Sequence, residues 1–332
     1  SLYLGGNAFL QGLGDELLSS WTSIEVLDLS DNLLDGELPT LLLTKDKLVV
    51  VDLHGNSFTG ELPVNVQVDG SIEFLALQHN QLSGPIEDHL SSLSKLKHLD
   101  LSKNSFTGDM PTVLGQLKEL RYLFLAFNEK LNPGPIPAEY ATLPNLVDLS
   151  LQTTKRNGEI PYQFESLSEL VLLDLNDNEL EGAIPTQLGG LASLKFLLLK
   201  NNKLTGSIPS TFKNLQLDTL LLDFNDITAG TENVCAPHLP KLTSFIADCD
   251  DDLQGCSCCT KCCKADDLNC NDIVWYSDVD PIAEGGYVRD SYLFLEADLE
   301  LPVSKQDQEE AGSYYKNYTG YTSLDTLNDL TP

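Results

Sequence analysis

The chain has 332 residues, 42% of them apolar, and carries 50 Asp and Glu against 20 Lys and Arg. The net charge of −30 excludes the basic face that nucleic acid or an anionic membrane surface requires, and the sequence holds no apolar run of the about 18 residues needed to span a bilayer. Length allows one domain or two, and core formation is not limiting.

In chain order, Ser1-Leu2-Tyr3-Leu4 already reads as a strand, with no initiating methionine, signal peptide or polar cap. Repeat arrays need capped ends, so the N-terminal cap is expected to be missing. The wording of Leu170 to Pro185, LVLLDLNDNELEGAIP, then returns about every two dozen residues. Asn7, Asn32, Asn56, Asn80, Asn104, Asn128, Asn178, Asn202 and Asn225 stand in register, with Thr154 in one slot, at steps of 25, 24, 24, 24, 24, 26, 24, 24 and 23 residues. A degenerate turn through Leu242 to Asp250 follows. A period in this range is the signature of a solenoid.

Within a turn, L-x-x-L-x-L-x-x-N places alternate leucines on the inner face of a short strand, as at Leu173 and Leu175. One turn cannot bury that face alone, so stacked turns form a leucine ladder. The asparagine lies where the chain bends inward, and its amide can satisfy backbone groups otherwise buried without partners. The L-x-G-x-I-P half follows, as in LDGELP (34–39), FTGDMP (106–111) and LTGSIP (204–209). Its glycine permits the bend, and its proline keeps the arc from joining a regular ladder.

These motifs, over roughly residues 1 to 250, resemble the plant-type leucine-rich repeat family of receptor ectodomains and polygalacturonase-inhibitor-like proteins. The resemblance implies an α/β repeat solenoid: a right-handed superhelix of about ten turns with a parallel sheet on its concave face. The solenoid is placed at 1–232 and the last degenerate repeat with a cysteine-rich cap at 233–270. Residues 271–332 form an acidic, tyrosine-containing tail expected to be mobile.

The regular turns break between Asn128 and Pro161, where NEKLNPGPIP holds two extra residues and the next turn reads QTTKRNGEIP. Such an insertion is either a tolerated loop or a recognition element. Family members usually meet their ligands on the outward strand positions. One such column reads Asp28, Asp52, Asp100 and Asp174, which fits common scaffold wording better than an acidic binding stripe. Phe124, Leu198 and Leu221 depart from it, and adjacent columns supply Phe74, Tyr122, Phe127, Phe196 and Phe224. These eight are the candidate ligand-binding residues, because apolar side chains grouped across neighbouring turns mark an interaction surface. Packing against the tail or burial in the bend is the structural alternative.

No catalytic motif is present: no phosphate loop, no G-x-S-x-G and no kinase signature. His54 and His79 fall on successive turns near Asp52, without any recognised ligand spacing. No enzyme activity, metal or cofactor is expected.

All eight cysteines, Cys235, Cys249, Cys256, Cys258, Cys259, Cys262, Cys263 and Cys270, fall where the solenoid must be closed. An even set in a short segment with little core fits a disulfide-stapled cap. Zinc on C-x-C-C-x-x-C-C is the competing reading. Secreted family members carry cysteine caps at this place, so the resemblance favours disulfides. The wording C-x-C-C-T-x-C-C is more similar to algal than to land-plant members. From 265 onward fifteen Asp and Glu face Arg289, Lys305 and Lys316, and Asn317 opens the only N-glycosylation sequon. The expected function is non-catalytic recognition at the cell surface or outside the cell, with a protein, peptide or glycan as ligand. A secreted hydrolase inhibitor and an intracellular scaffold with a zinc-bound cap are the alternatives.

Overall fold

The computed structural model describes residues 1–10, 12–67, 70–235, 238–248, 256 and 258–263. The acidic tail, Cys249, Cys270 and Asn317 lie outside the described residues. Residues Leu2–Ala265 form one compact unit.

The repeat period becomes the register of one parallel sheet. Its strands are β1 (Leu2–Tyr3), β2 (Val26–Asp28), β3 (Val50–Asp52), β4 (Phe74–Ala76), β5 (His98–Asp100), β6 (Tyr122–Phe124), β7 (Asp148–Ser150), β8 (Leu172–Asp174), β9 (Phe196–Leu198), β10 (Thr219–Leu221), β11 (Ser244–Asp248) and β12 (Lys261–Cys263). They lie side by side in chain order. Because the step is nearly constant, like pairs with like: Leu75 with Leu99, Leu99 with Leu123, Leu149 with Leu173 and Leu173 with Leu197. These side chains are fully buried in the central ladder. The ten sequence turns and the closing one account for β1 to β11. β12, contributed by the cysteine segment, is an extra strand that the repeat pattern does not announce.

The outer arc consists of short 3-10 turns, among them Thr112–Gln116, Ala138–Thr142, Tyr162–Ser166 and Thr186–Gly190. A single six-residue α-helix, Asp15–Ser20, occurs among the described residues. The reason is local. Pro111, Pro137, Pro161 and Pro185 sit at the turn starts, and their carbonyls accept the i+3 bonds that define each 3-10 turn, such as Tyr140 N–H to Pro137 O at 3.2 Å. The arcs also stack tightly. A Cβ added to Gly115 would stand 2.5 Å from the Glu139 carbonyl oxygen of the next turn.

The asparagine column ties turn to turn. The Asn80 amide donates to Leu77 O and Gln78 O of its own turn and to Leu53 O of the preceding one, and its oxygen accepts Phe58 N–H at 3.0 Å. Asn56, Asn104, Asn128, Asn178, Asn202 and Asn225 repeat this scheme. Thr154 performs only part of it, donating to Leu151 O at 2.6 Å. In that turn Arg156 replaces the leucine, and its guanidinium reaches back to Thr154 O and to Asn132 O of the inserted segment. Burial pulls the Arg156 pKa down, against the opposing pull of Tyr140 and Asp109. The irregular stretch is therefore closed by an internal cation that takes over two carbonyls.

Candidate binding face and cysteine cap

The aspartates of the outward column act as scaffold. Asp28, Asp100 and Asp174 each accept the backbone N–H two residues on, at 3.1, 2.9 and 3.1 Å, which fixes the chain as it leaves the strand. Asp174 also accepts Ser150 Oγ from the neighbouring strand at 2.8 Å. Asp52 makes the same turn with His54 N–H and adds a 2.6 Å contact to His54 Nδ1. The other ring nitrogen of His54 lies 3.3 Å from Asp31 Oδ2. Burial opposes charging the ring, yet Asp52 and Asp31 together outweigh it and hold the pKa well above the usual histidine range. An imidazolium held at both nitrogens has no lone pair to accept a proton, so this arrangement is an ion-pair clamp and not a general base.

The eight candidate residues separate into two groups. Phe74, Tyr122, Phe124 and Phe127 lie on or just after β4 and β6, and Phe196, Leu198, Leu221 and Phe224 on or just after β9 and β10. Between them β7 and β8 carry Asp148, Ser150 and Asp174, all fully buried. In the first group His98 intercalates: its ring stacks on Phe74 at 4.1 Å and 14°, and tilts against Tyr122 at 5.9 Å and Phe124 at 5.8 Å. The strand register makes this stack, since Phe74, His98 and Tyr122 are direct partners across β4, β5 and β6.

The outward pattern placed all eight at a solvent face, and here the structure differs. Phe74, Tyr122, Phe124, Leu198 and Leu221 are at most 4% exposed, whereas Phe127, Phe196 and Phe224 are half-buried. For Phe74, Tyr122 and Phe124 the lateral stacking around His98 contributes to this burial.

The residue before the asparagine was not singled out by sequence reasoning. Asp31, Gly55, His79, Lys103, Phe127, Thr153, Asp177, Asn201 and Phe224 all have φ between 48° and 65°. This left-handed column is what swings each turn inward. Its legible signal was the recurrence of glycine, aspartate and asparagine there; Phe127 and Phe224 hid it. These two rings are set by the backbone, and each has a lysine nearby, Lys103 at 5.3 Å and Lys200 at 5.5 Å from the ring centre. Lys200 also pairs with Asp223 at 3.5 Å. Burial pushes the Asp223 carboxyl up to about 6, against the opposing pull of Lys200.

At the C-terminal end β12 pairs with β11. Thr260 seals the start of that edge, its N–H donating to Phe245 O at 2.8 Å and its hydroxyl accepting Phe245 N–H at 2.9 Å. Asp248, at the end of β11, accepts Phe224 and Asn225 N–H. Cys235 is bonded to Cys258 and Cys256 to Cys259; Cys263 is also disulfide-bonded. Cys256, Cys258 and Cys259 pack against the core at the end of the ladder.

The fold and its closure define a leucine-rich repeat solenoid with a disulfide-stapled cap. Models described as leucine rich repeat match residues 71–129 and, separately, 23–44, 169–191 and 193–215. With these matches the chain is a leucine-rich repeat solenoid. Similar solved structures include the plant peptide hormone receptor RGFR1 in complex with RGF2, at 30% identity and TM-score 0.62 over 69% of this chain and 36% of that one. The ectodomain of the Arabidopsis receptor kinase HAESA in complex with an extended IDA peptide hormone is 29% identical at TM-score 0.62, over 67% of this chain and 37% of that one. A leucine-rich repeat protein of Leptospira interrogans is 30% identical at TM-score 0.58, over 68% and 55%. This chain thus spans well under two thirds of the length of the receptors it matches. Comparison with curated sequences finds no match.

Proposed function

We propose that this chain is a non-catalytic recognition module that binds an extended peptide, or a loop of a protein, along its concave sheet. Support comes from the half-buried rings Phe127, Phe196 and Phe224, which keep exposed surface, and from the peptide hormones bound by the similar plant receptors. Phe127 and Phe224 occupy the same exit position on turns four strand spacings apart, or about 19 Å, the reach of roughly six extended residues. The favoured ligand carries apolar side chains at that interval. Disulfides in the cap support an oxidising compartment, outside the cell or at its surface.

Phe127→Asn and Phe224→Asn test this, because asparagine removes the ring yet tolerates the left-handed backbone, as Asn201 does in the same column. Peptides selected from a displayed random library on the full chain should lose about tenfold or more in affinity against either variant. Failure to select any peptide, or selected peptides indifferent to both substitutions, would overturn the proposal.

A further inference from the structure

The cap sulfurs are placed more closely than two independent cross-links require. Sγ atoms of Cys235, Cys256 and Cys258 all lie within 4.8 Å of one another, although they belong to two different disulfides. Cys259, the partner of Cys256, holds its Cα 5.5 Å away. Four thiolates around one tetrahedral zinc stand about 2.3 Å from the metal and therefore about 3.8 Å apart. Three of the four sulfurs of the oxidised cap thus already cluster close to the spacing of a metal site, and the fourth, Cys259 Sγ, is bonded to one of them but lies outside that cluster. Three of the four come from one short stretch, and Cys235 comes from the other side of β11 in sequence.

We propose that the same four cysteines form a redox-gated site for a soft divalent cation of the zinc class: closed as Cys235–Cys258 and Cys256–Cys259 when oxidised, and a four-thiolate site when reduced. The change balances without a hidden partner. Each disulfide takes up two electrons and two protons, so opening both takes four of each. With a trialkylphosphine as reductant, two phosphines become phosphine oxides, and two waters supply the oxygens and the four protons. Zinc then displaces four protons from the four thiols to give a tetrathiolate of charge −2. The metal substitutes for the staples at the same place, joining Cys235 to the 256–259 segment and so keeping the end of the ladder covered.

The test uses the full chain. It is reduced anaerobically with a phosphine, which competes weakly for zinc, then given zinc, desalted and assayed for bound metal; cadmium in a parallel sample reports thiolate ligation through its ultraviolet charge-transfer band. The expected result is one zinc per reduced chain and essentially none per oxidised chain. Cys235→Ser and Cys256→Ser should each weaken binding about tenfold or more, while Cys270→Ser binds as the parent does. Circular dichroism confirms that the array stays folded in each variant. A reduced parent that binds no zinc overturns the proposal. So does a site unaffected by Cys235→Ser and Cys256→Ser, or one lost with Cys270→Ser, because the metal then sits on other cysteines.

Discussion

Replacing Asn178 with alanine isolates what the asparagine column contributes. The Asn178 amide donates to Leu151 O, Leu175 O and Asn176 O, but each of these carbonyls keeps a second donor: Thr154 Oγ1, the Asn202 amide and Thr153 N–H respectively. The acceptor side has no such reserve. Asn178 Oδ1 receives both Thr154 N–H at 3.2 Å and Arg156 N–H at 2.8 Å, in a buried turn. Asn178→Ala therefore strands two donors, at about 1 to 3 kcal/mol each, for a total of roughly 4 kcal/mol. At Asn202 the oxygen serves only Leu180 N–H, so Asn202→Ala should cost about half as much. Urea unfolding of both variants, with unchanged denaturant dependence, gives the ratio. Amide hydrogen exchange at Thr154 and Arg156 should quicken selectively in Asn178→Ala. Equal costs at the two positions, or a loss below about 1 kcal/mol at Asn178, would refute the reasoning.

Three further outcomes follow from other parts of the molecule. Thr153 is a β-branched residue at φ 53°, so Thr153→Gly should relieve strain and stabilise the array by about 1 kcal/mol, read as a raised urea midpoint. Gly115→Ala should destabilise by about 1 to 3 kcal/mol in the same assay, because its Cβ meets a neighbouring carbonyl and not a movable side-chain end. Both shifted titrations make stability fall as pH rises. The Asp223 carboxyl, raised to about 6, contributes a loss between its ordinary value near 3.8 and about 6. The His54 clamp is fully stabilising below about 6.5 and is lost as pH climbs through its raised value. In urea titrations at successive pH values, Asp223→Asn should flatten the lower window and His54→Gln the upper one. A pH profile unchanged by His54→Gln would show that the ring is not held as a cation.

The scaffold was legible because a repeat states the same physical demand many times. A lone asparagine between leucines has several readings; nine in register, each able to serve two adjacent turns, have one. The recurrence of aspartate in one column pointed to scaffold, and the structure shows the turns those aspartates make. It failed where a demand is met by the backbone or by a single exception. The 3-10 character of the arc follows from proline-led turns, and the leucine pattern alone does not separate it from helix. β12 has no period to betray it, since it comes from a segment whose residues are chosen for cysteine. The left-handed column was masked because phenylalanine, lysine and threonine stand in it beside the glycine and asparagine that signal such a backbone.

The binding face is the harder part for the same reason. Positions that face outward from a strand are released from the ladder, so their identity reflects whatever lies across the sheet, and alternation alone gives direction without giving cover. Phe74 and Tyr122 have the spacing of surface residues, yet His98, one strand from each, joins them into a buried stack. Sequence distance obscured that contact, because the three residues are 24 apart each and meet only once the turns are stacked. The rings that keep exposed surface at Phe127 and Phe224 sit in the left-handed column, where a side chain is aimed by the bend and not by the strand. The proposed recognition is therefore best sought at the exit edge of the sheet, where the backbone conformation is fixed by the repeat and the choice of side chain is left free.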